Sequence, residues 1–354
     1  MKKFDDIDLK YMKLALGLAA NGRGRVSPNP MVGCVIVKNK KIIGSGYHGI
    51  FGGPHAEINA LKSCKNAAGA TMYVNLEPCC HYNKKTSPCV PEIIKSGIKN
   101  IVIAMKDPNR EVNGRGIKQL KFKGVRCKVG VLKKEAEQLN EVYVKYITKK
   151  MPFVILKMAY SLDGKTSSVT GDSKWISSEE SRRRVHDLRS EVDAVLVGIN
   201  TVIRDNPLLT SHGRGKNPAR IILDADLKIP LSSNVLNKEA KTVIATSKDS
   251  PINKIGKLEK KGIKVLKIPS SKGKINLKKL LASLANMGVS SLLAEGGPTV
   301  AESFINNEFV DKIMFFICPK IINGFSKMGD AIAVKNVIIN KSGSDVIFEG
   351  YPDV

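Results

Sequence analysis

One histidine, two cysteines and a glutamate stand in the first third of the chain, where they could bind and use a metal ion. His55 and Glu57 are separated by one residue, and Cys79 and Cys89 follow. Zinc prefers nitrogen and sulfur ligands, and three protein ligands leave a fourth position for water, whose pKa falls to about 7. We therefore predict that His55, Cys79 and Cys89 bind Zn²⁺ and that the metal activates water.

Glu57 is the predicted acid–base group of this site. Hydrolytic deamination moves protons between the attacking water, a ring nitrogen and the departing ammonia, so it requires a carboxylate that is not a metal ligand. Glu57 lies two residues after the proposed ligand His55. The combination predicts a zinc-dependent deaminase.

The surrounding sequence predicts how these side chains are positioned. Residues 52–54, Gly-Gly-Pro, indicate a turn in which Pro54 opens a helix that continues through residues 56–61. A strand at residues 71–76 would deliver Cys79 to a loop, and residues 91–95 resemble the start of the next helix. Both cysteines would then lie near a helix N-terminus, where the helix dipole favours thiolates.

Other cysteines and a histidine compete for these roles. Cys80 and His81 are rival ligands by composition, although adjacent side chains such as Cys79 and Cys80 seldom converge on one ion. An odd count of seven cysteines without paired spacing argues against a disulfide framework and predicts a reducing, cytoplasmic location. The remaining cysteines are interpreted as ordinary thiols: Cys34, Cys64, Cys127 and Cys318.

Length and hydropathy predict a globular protein with more than one domain. A chain of 354 residues has room for two or three domains of ~100 to 200 residues each. No apolar run approaches the ~18 residues of a membrane span, and residues 1–8 are charged rather than signal-like. A polar run near residues 148–152 predicts a deaminase domain over residues 1–148 and a second domain over 149–354.

Both domains are predicted to be α/β. In the first, buried strands at residues 32–37, 71–76 and 101–105 alternate with helical segments such as 133–147, which indicates an α/β/α sandwich. In the second, strands alternate with helices, which implies a mainly parallel sheet. Its predicted strands are residues 153–158, 194–198, 219–224, 242–245, 291–294 and 312–317, and its helices are 178–189, 277–285 and 299–306.

The net charge of +26 supports a rival interpretation, because strongly basic proteins often bind nucleic acid. However, the lysines are spread along the chain, and an aromatic content of 5% is low for base stacking. We therefore expect a small-molecule substrate, with no nucleic acid and no membrane partner. Two alternatives stay open, a nucleic-acid-editing deaminase and a zinc-stabilised binding protein with Cys80 or His81 as fourth ligand, and a homo-oligomer is compatible with the sequence.

The sequence of the second domain indicates a candidate phosphate-binding turn. No G-x-G-x-x-G motif follows a strand there, so the usual dinucleotide fingerprint is absent. Instead, residues 294–299, Ala-Glu-Gly-Gly-Pro-Thr, follow a buried strand and open a helix. Glycines permit close backbone approach and a helix N-terminus offers free N–H groups to phosphate, but a Gly-Gly turn alone is a weak signal.

The zinc motif resembles the cytidine-deaminase superfamily, and specifically the bifunctional riboflavin-biosynthesis deaminase-reductases. The motif comprises residues 55–57 (His-Ala-Glu), 77–81 (Glu-Pro-Cys-Cys-His) and 86–89 (Thr-Ser-Pro-Cys). Nucleic-acid and free-nucleoside deaminases usually have Pro-Cys-x-x-Cys, whereas nine residues separate Cys79 from Cys89 here. That interval is one residue longer than the family's usual interval. Residues 28–33, Pro-Asn-Pro-Met-Val-Gly, match the family's N-terminal signature.

The resemblance implies an activity and substrate contacts for the first domain. The expected reaction is zinc-dependent deamination of 2,5-diamino-6-ribosylamino-4(3H)-pyrimidinone 5′-phosphate. Because the loop is lengthened, either Lys84 or Lys85 occupies the family's lysine position, and we favour Lys85. The other implied contacts to the pyrimidine and ribose phosphate are Asn29, His48 and Thr86.

The second half resembles the reductase domain of the same family, which has a dihydrofolate-reductase-like fold and uses NADPH. The matching segments are residues 161–165, 170–176, 197–210 and 295–298. The resemblance implies reduction of the ribosyl side chain to 5-amino-6-ribitylamino-uracil 5′-phosphate. The implied cofactor contacts are Ala159, Trp175, Thr201, Asp205, Gly297, Pro298, Thr299, Val300, Ala301, Glu302 and Ser303, and the implied substrate contacts are Ser173, Arg189, Leu209, His212 and Glu295.

One position departs from the reductase pattern. The family usually has an arginine where this chain has His212. Histidine is largely neutral near pH 7 and cannot form a bidentate fork to phosphate. Phosphate binding would then depend on Arg189 or on Arg214. Lys248 is a candidate for the contact to the 2′-phosphate of NADPH.

Overall fold

The chain divides into two compact units, Met1–Lys150 and Met151–Val354. This division falls two residues after the predicted boundary between residues 148 and 149. The structure, a computed structural model, describes residues 4–82, 86–166, 177–271, 273–319 and 333–353.

A mixed five-stranded sheet forms the centre of the first unit. Its strand order is β2-β1-β3-β4-β5, in which β1 runs antiparallel to β2 and β3, whereas β3, β4 and β5 are parallel. The predicted strand at residues 71–76 has the observed bounds. The strands are β1 (Gly33–Lys38), β2 (Lys41–Tyr47), β3 (Thr71–Leu76), β4 (Asn100–Met105) and β5 (Arg126–Val129).

Helices cover both faces of this sheet. A Cβ on Gly33 would lie 2.1 Å from the carbonyl oxygen of Ala15 in α1, so that residue faces α1 at close range. Gly46, which pairs with the next residue, Cys34, faces α2, where a Cβ would lie 2.5 Å from the nitrogen of Ala60. Successive residues of a strand point to opposite faces, so the predicted α/β/α sandwich is confirmed. The helices are α1 (Asp6–Ala20), α2 (Ala56–Lys62), α3 (Cys89–Lys95), α4 (Arg115–Phe122), α5 (Lys133–Leu139) and α6 (Glu141–Lys149).

The single helix predicted over residues 133–147 is wrong. Asn140 breaks it with φ −106° and ψ 20°, which separates α5 from α6. The buried Asn140 amide binds the backbone of Met31 twice: its Oδ1 accepts from Met31 N at 2.8 Å, and its Nδ2 donates to Met31 O at 3.0 Å. The break therefore coincides with a tertiary contact that sequence periodicity does not reveal.

A nine-stranded sheet forms the second unit, in the order β10-β9-β8-β7-β13-β6-β14-β16-β15. The strands from β10 to β14 are parallel, and β16 and β15 extend the sheet in antiparallel fashion. The predicted mainly parallel sheet is confirmed, but its strands β10, β15 and β16 were not predicted. The strands are β6 (Phe153–Ser161), β7 (Ala194–Gly198), β8 (Ala219–Leu223), β9 (Thr242–Thr246), β10 (Lys264–Lys267), β13 (Ser291–Ala294), β14 (Lys312–Cys318), β15 (Val334–Ser342) and β16 (Asp345–Pro352), with a small hairpin of β11 (Ser270–Ser271) and β12 (Lys274–Ile275).

The helices of the second unit bury apolar side chains against this sheet. Leu280 and Leu284 of α10 and Phe304 of α11 lie in one hydrophobic core with the parallel strands. No helix in the described ranges is long and apolar enough to cross a membrane. The helices are α7 (Glu179–Glu191), α8 (Ile199–Asp205), α9 (Ile252–Lys260), α10 (Leu277–Asn286) and α11 (Pro298–Asn306).

Candidate active sites

The three predicted metal ligands converge in the first unit. His55 is the N-cap of α2, Cys79 lies in the loop after β3, and Cys89 is the first residue of α3. Their ligand atoms all lie within 4.8 Å of one another, and in the described part of the chain this is the one group of three or more potential ligands that does so. Helix α2 begins at Ala56 rather than at Pro54, and α3 begins at Cys89 rather than Pro91, so both predicted helix starts were displaced.

The His55 imidazole has a defined orientation. Its Nδ1 lies 3.4 Å from the Sγ of Cys79 and 3.3 Å from the Sγ of Cys89, while its Nε2 lies 3.0 Å from Thr86 Oγ1. The backbone N–H of Cys89 also donates to Cys79 Sγ at 3.3 Å. Because that N–H begins a helix, both sulfurs lie at the positive end of its dipole, as predicted.

These residues fit zinc. One imidazole nitrogen and two sulfurs form the three-ligand set that leaves a position open, which is typical of catalytic rather than structural zinc. The rival Cys80 directs its Sγ towards the carbonyl oxygen of Glu111, at 3.9 Å, and does not join the group. His81 lines the adjacent cavity but is likewise outside the group.

Glu57 lies next to the ligands with a carboxylate suited to proton transfer. It is in the first turn of α2, is 3% exposed, and its Oε2 has no hydrogen-bond partner. Burial raises the pKa of Glu57, and the Cys79 thiolate raises it further. A raised pKa makes this carboxylate a better proton acceptor than an ordinary glutamate, as a general acid–base requires.

A second buried carboxylate holds the loop that carries Cys79. Glu77 is 2% exposed and accepts hydrogen bonds from the backbone N–H groups of Gly114, at 2.9 Å, and Ile117, at 3.1 Å. This connects the end of β3 to the start of α4. This structural role of Glu77 was not predicted from its place in the motif.

A cavity of about 340 Å³ opens beside the metal ligands and Glu57. Asn29 and His48 line it together: His48 Nδ1 lies 3.0 Å from Pro54 O, and His48 Nε2 lies 3.1 Å from Asn29 Nδ2. A carbonyl oxygen only accepts, so Nδ1 is the donor and a neutral ring accepts from Asn29 at Nε2. The two residues that the sequence assigned to substrate therefore form one hydrogen-bonded pair.

Further polar groups of this cavity were missed. Asp107 is 5% exposed, and its Oδ1 accepts from the hydroxyl of Tyr143 at 2.9 Å and from Asn109 N at 2.8 Å. Burial raises the pKa of Asp107 to about 6. The signal in the sequence was the run Asp-Pro-Asn at residues 107–109, just after β4, because residues that follow parallel strands meet at one edge of a sheet.

Some predicted contacts fall outside the described residues. These are Lys84 and Lys85 in the first unit and Ser173 and Trp175 in the second. Thr86 is described and lines the deaminase cavity.

The second unit contains a larger cavity, of about 760 Å³, at the carboxyl ends of β7, β8 and β13. Ligands of open α/β sheets bind at such edges. Most described residues that the resemblance assigned to cofactor or substrate line it: Ala159, Arg189, Thr201, Asp205, Leu209, Glu295, Gly297, Pro298, Thr299, Val300 and Ser303.

The Gly-Gly turn positions α11 at this cavity. A Cβ on Gly296 would lie 2.3 Å from the Cβ of Val300, so the turn packs on the helix too closely for any side chain. Gly297, the N-cap of α11, has open space where a Cβ would be. Ala301 lies in the hydrophobic core, and neither it nor Glu302 lines the cavity.

Two charged residues implied to bind substrate are bound to each other. Arg189 donates to Glu295 from Nε at 2.8 Å and from Nη2 at 2.9 Å, and from Nη1 to Thr210 O at 3.2 Å. Burial acts to raise the pKa of Glu295, but the Arg189 guanidinium outweighs it and leaves that pKa lowered. The pair is therefore an ionised, buried salt bridge in the cavity wall.

Lys157 is a cavity residue that the sequence analysis missed. It lies within β6, and burial lowers its pKa, partly offset by Glu295. A lysine inside the apolar run Phe-Val-Ile-Leu-Lys-Met was the available signal. Such a lysine releases its proton more readily than an exposed one.

His212 packs against a second histidine, His186, rather than lining the cavity. Its ring stacks on His186 with centroids 4.2 Å apart, and Arg214, considered as its substitute, pairs with Asp187 instead. Burial lowers the pKa of His186 to about 4, with His212 and Arg189 acting in the same direction.

The candidate for the 2′-phosphate contact, Lys248, does not line the cavity. Besides Arg189 and Lys157, the basic residues Arg204, Lys228 and Lys274 line it. Lys228 pairs with Asp226 at 2.8 Å, directly beyond the end of β8.

Family models match both units. The zinc-binding region of cytidine and deoxycytidylate deaminases matches residues 5–105, and the RibD C-terminal domain matches residues 152–348. The riboflavin biosynthesis protein RibD of Aquifex aeolicus is 45% identical over 354 residues, covering 97% of this chain and 98% of that protein. RibD of Escherichia coli K12 is 35% identical, covering 96% of this chain and 98% of its own.

Solved structures are similar to this chain across both units. A diaminohydroxyphosphoribosylaminopyrimidine deaminase/5-amino-6-(5-phosphoribosylamino)uracil reductase from Thermotoga maritima has a TM-score of 0.86 and 36% identity, covering 98% of this chain and 99% of that chain. RibD of Acinetobacter baumannii has a TM-score of 0.88 at 32% identity, with the same coverage. The chain therefore belongs to the RibD family of riboflavin biosynthesis proteins, bifunctional enzymes that join a zinc-dependent deaminase to an NADPH-dependent reductase.

Proposed function

We propose that this enzyme deaminates 2,5-diamino-6-ribosylamino-4(3H)-pyrimidinone 5′-phosphate and then reduces the ribosyl side chain of the product. The final product would be 5-amino-6-ribitylamino-uracil 5′-phosphate. The observation that carries the proposal is the grouping of His55, Cys79 and Cys89 within 4.8 Å, beside the unpartnered Oε2 of Glu57. The similarity to the Thermotoga maritima deaminase/reductase supports the choice of substrate.

In the deaminase unit, His55, Cys79 and Cys89 would hold zinc. When bound, the metal would lower the pKa of water enough to supply a nucleophile near neutral pH. Glu57 takes a proton from the water as its oxygen adds to the amino-bearing ring carbon, and gives a proton to the adjacent ring nitrogen. It then transfers the second proton to the amino group, which leaves as ammonia.

Binding of the base would depend on the polar residues of the same cavity. The Asn29–His48 pair supplies an oriented amide, and Asp107 supplies a buried carboxyl group held by Tyr143. Lys84 or Lys85, with Lys85 favoured, would contact the ribose phosphate. These contacts fix which ring carbon faces Glu57.

In the reductase unit, NADPH would bind along the Gly297 turn and α11. When bound, it would supply a hydride to C1′ of the ribosyl group. As that bond forms, the bond between C1′ and the ring oxygen breaks, and the oxygen requires a proton. We assign this proton to Lys157, whose lowered pKa favours its release.

The phosphate of the substrate would lie near Arg189, since His212 does not line the cavity. Glu295 already binds two nitrogens of Arg189. The positive charge of the guanidinium that faces the phosphate is therefore partly neutralised. Ser173, Leu209 and Trp175 keep the roles implied by the resemblance, whereas Ala301 and Glu302, which do not line the cavity, are given no contact. We also place the enzyme in the cytoplasm, acting without nucleic acid or a membrane, because its seven cysteines are free and its lysines are dispersed.

Mass spectrometry of the products tests this function. With the diaminopyrimidinone ribosyl phosphate alone, we expect a gain of about one mass unit from deamination. With NADPH added, a further gain of about two units marks reduction. Unchanged substrate under both conditions would refute the proposal.

Glu57→Gln separates the two activities. Ammonia release should fall by about 10²- to 10⁴-fold because the proton carrier is lost. Zinc content and NADPH oxidation with pre-deaminated substrate should persist. Glu92→Gln, an exposed change in α3, is the matched control and should leave both activities intact. Normal deamination by the Glu57 variant would remove the role given to this residue.

A further inference from the structure

Phe51 is an exposed aromatic side chain in the wall of the deaminase cavity. It lines the cavity with Asn29, His55 and Glu57, and it is 43% exposed. The other apolar side chains described in this wall are buried or half-buried. We propose that the ring of Phe51 stacks on the pyrimidine base of the substrate. This inference rests on the proposed deaminase function and extends it to a residue that the resemblance did not implicate.

The rest of the wall leaves this role to Phe51. Tyr143 is 8% exposed, and its hydroxyl already donates to Asp107 at 2.9 Å. Leu76 and Val112 lie in the hydrophobic core of the unit. A deaminase pocket holds a base by hydrogen bonds to its edge and by aromatic or apolar side chains against its faces. Because the phenyl ring of Phe51 is partly in water, covering it with the base also removes apolar surface from water.

The loop that carries Phe51 is held in place from two sides. The backbone N–H of Phe51 donates to the carbonyl oxygen of Arg25 at 3.1 Å, and the carbonyl oxygen of Pro54 accepts from His48 Nδ1 at 3.0 Å. Between them, Gly52 turns the chain with a φ of +79°, in the left-handed region. The loop then leads directly into α2, which carries the predicted acid–base group. The ring is therefore positioned before the base binds, which lowers the entropic cost of binding.

Steady-state kinetics of ammonia release, with the full-length enzyme and no NADPH, provide the first readout. We expect Phe51→Ala to raise KM by about 5- to 100-fold, the range for loss of one base–aromatic stack. The value of kcat should stay within about threefold, because stacking is equally strong before and during the reaction. Phe51→Tyr keeps a ring, and its KM should stay within about threefold of that of the unchanged enzyme.

Ile50→Ala is the matched control. Ile50 is the preceding residue of the same loop and is 62% exposed, but it does not line the cavity. Its KM should remain unchanged. NADPH oxidation with pre-deaminated substrate should be unaffected in all of these variants, because they lie in the deaminase unit.

The contact itself is the second readout, and a merely structural role would not produce it. The chain has ten phenylalanines, and in ¹³C-labelled protein the ring signal of Phe51 is the one that disappears in Phe51→Tyr. Glu57→Gln enzyme is titrated with the diaminopyrimidinone ribosyl phosphate, so that the ligand binds without being consumed. An aromatic ring stacked on another shifts its signals upfield, so we expect an upfield shift of the Phe51 signal.

Two results would overturn the inference. One is an unchanged KM in Phe51→Ala, and the other is a Phe51 ring signal that keeps its position at saturating ligand. The second result is obtained with Phe51 in place, so it decides the matter even if Phe51→Ala does not fold. An upfield shift without any ammonia release by the unchanged enzyme would instead contradict the proposed function and leave the inference standing.

Discussion

Arg189 and Glu295 form a bidentate salt bridge, with Nε and Nη2 of the arginine 2.8 and 2.9 Å from the two carboxylate oxygens. The side chains are 12% and 8% exposed, so the two charges compensate each other in a largely desolvated place. Each charge alone would be left buried without a partner. The pair thus links α7 to the end of β13, beside the reductase cavity.

Breaking this pair should destabilise the reductase unit. We expect Arg189→Met or Glu295→Leu to lower the free energy of unfolding by about 3–5 kcal/mol, because a buried charge loses its partner. The double variant should be at least as stable as the less stable of the two single variants. Denaturant unfolding measures these effects, with ammonia release from the deaminase unit as the internal control. Additive losses would show that the charges do not compensate each other.

Gly296 and Gly297 should respond differently to the same added methyl group. Gly296→Ala places a Cβ against Val300, so we expect a loss of about 1–3 kcal/mol in stability from overpacking. Gly297→Ala meets no atom within 4 Å and should fold normally, but its methyl group would occupy the expected path of the NADPH phosphate.

The binding of NADPH distinguishes the two glycine variants. For Gly297→Ala we expect the Kd, measured by calorimetry, to rise about tenfold or more, which corresponds to about 1.4 kcal/mol. Val300→Ala should restore stability to Gly296→Ala by removing the clash. Unchanged NADPH binding by Gly297→Ala would argue against cofactor binding at this turn.

Asp107 should make the deaminase unit less stable as the pH rises. Its pKa is about 6 in the folded protein, against about 3.9 in an unfolded chain. Between these values the folded state retains a proton that the unfolded state has released, so the free energy of unfolding falls with increasing pH.

Hydrogen exchange of β3 and β4 peptides between about pH 4 and 6, corrected for intrinsic rates, measures this decline. Asp107→Asn should remove the part of this decline in stability that the titration of Asp107 causes. Asp6→Asn, at an exposed site in α1, should leave the decline unaltered. A decline that is as steep in the Asp107 variant would contradict the prediction.

His186 should have the opposite effect on the reductase unit. Its pKa is about 4 when folded and about 6.5 when unfolded, so in this interval the unfolded state binds the extra proton. Stability is therefore complete above about pH 6.5 and is lost as the pH falls through about 4. Because His186→Leu has no proton to bind, peptides of β7 and β13 should show a shallower loss of protection on acidification. An unchanged slope would exclude His186 as a source of the acid sensitivity.

Much of the fold was predictable because its central strands are short apolar runs bounded by turn residues. Residues 71–76, 194–198 and 291–294 were placed with their observed bounds. The exposed strand β15 was missed, since charged and polar side chains interrupt its apolar residues and its pairing depends on distant β16. Sequence patterns record burial, and they record long-range pairing poorly.

The deaminase site was also more predictable than the reductase site. Zinc restricts its ligands to a few residue types at recognisable spacing, so His55, Cys79 and Cys89 could be selected in advance. The reductase cavity instead uses an ordinary lysine within a strand, Lys157, whose pKa is lowered only when the folded chain buries it. No local pattern contains that information.

Asn140 and Met31 are joined by two hydrogen bonds. A fragment that is to work as an autonomous deaminase must therefore extend at least to Asn140. A fragment ending at Val129 would retain the whole sheet, Glu57 and all three candidate zinc ligands. It would nevertheless lose the amide that holds the segment after Asn29, together with the tyrosine that binds Asp107. Such a fragment could keep its metal while losing the pocket that recognises the base.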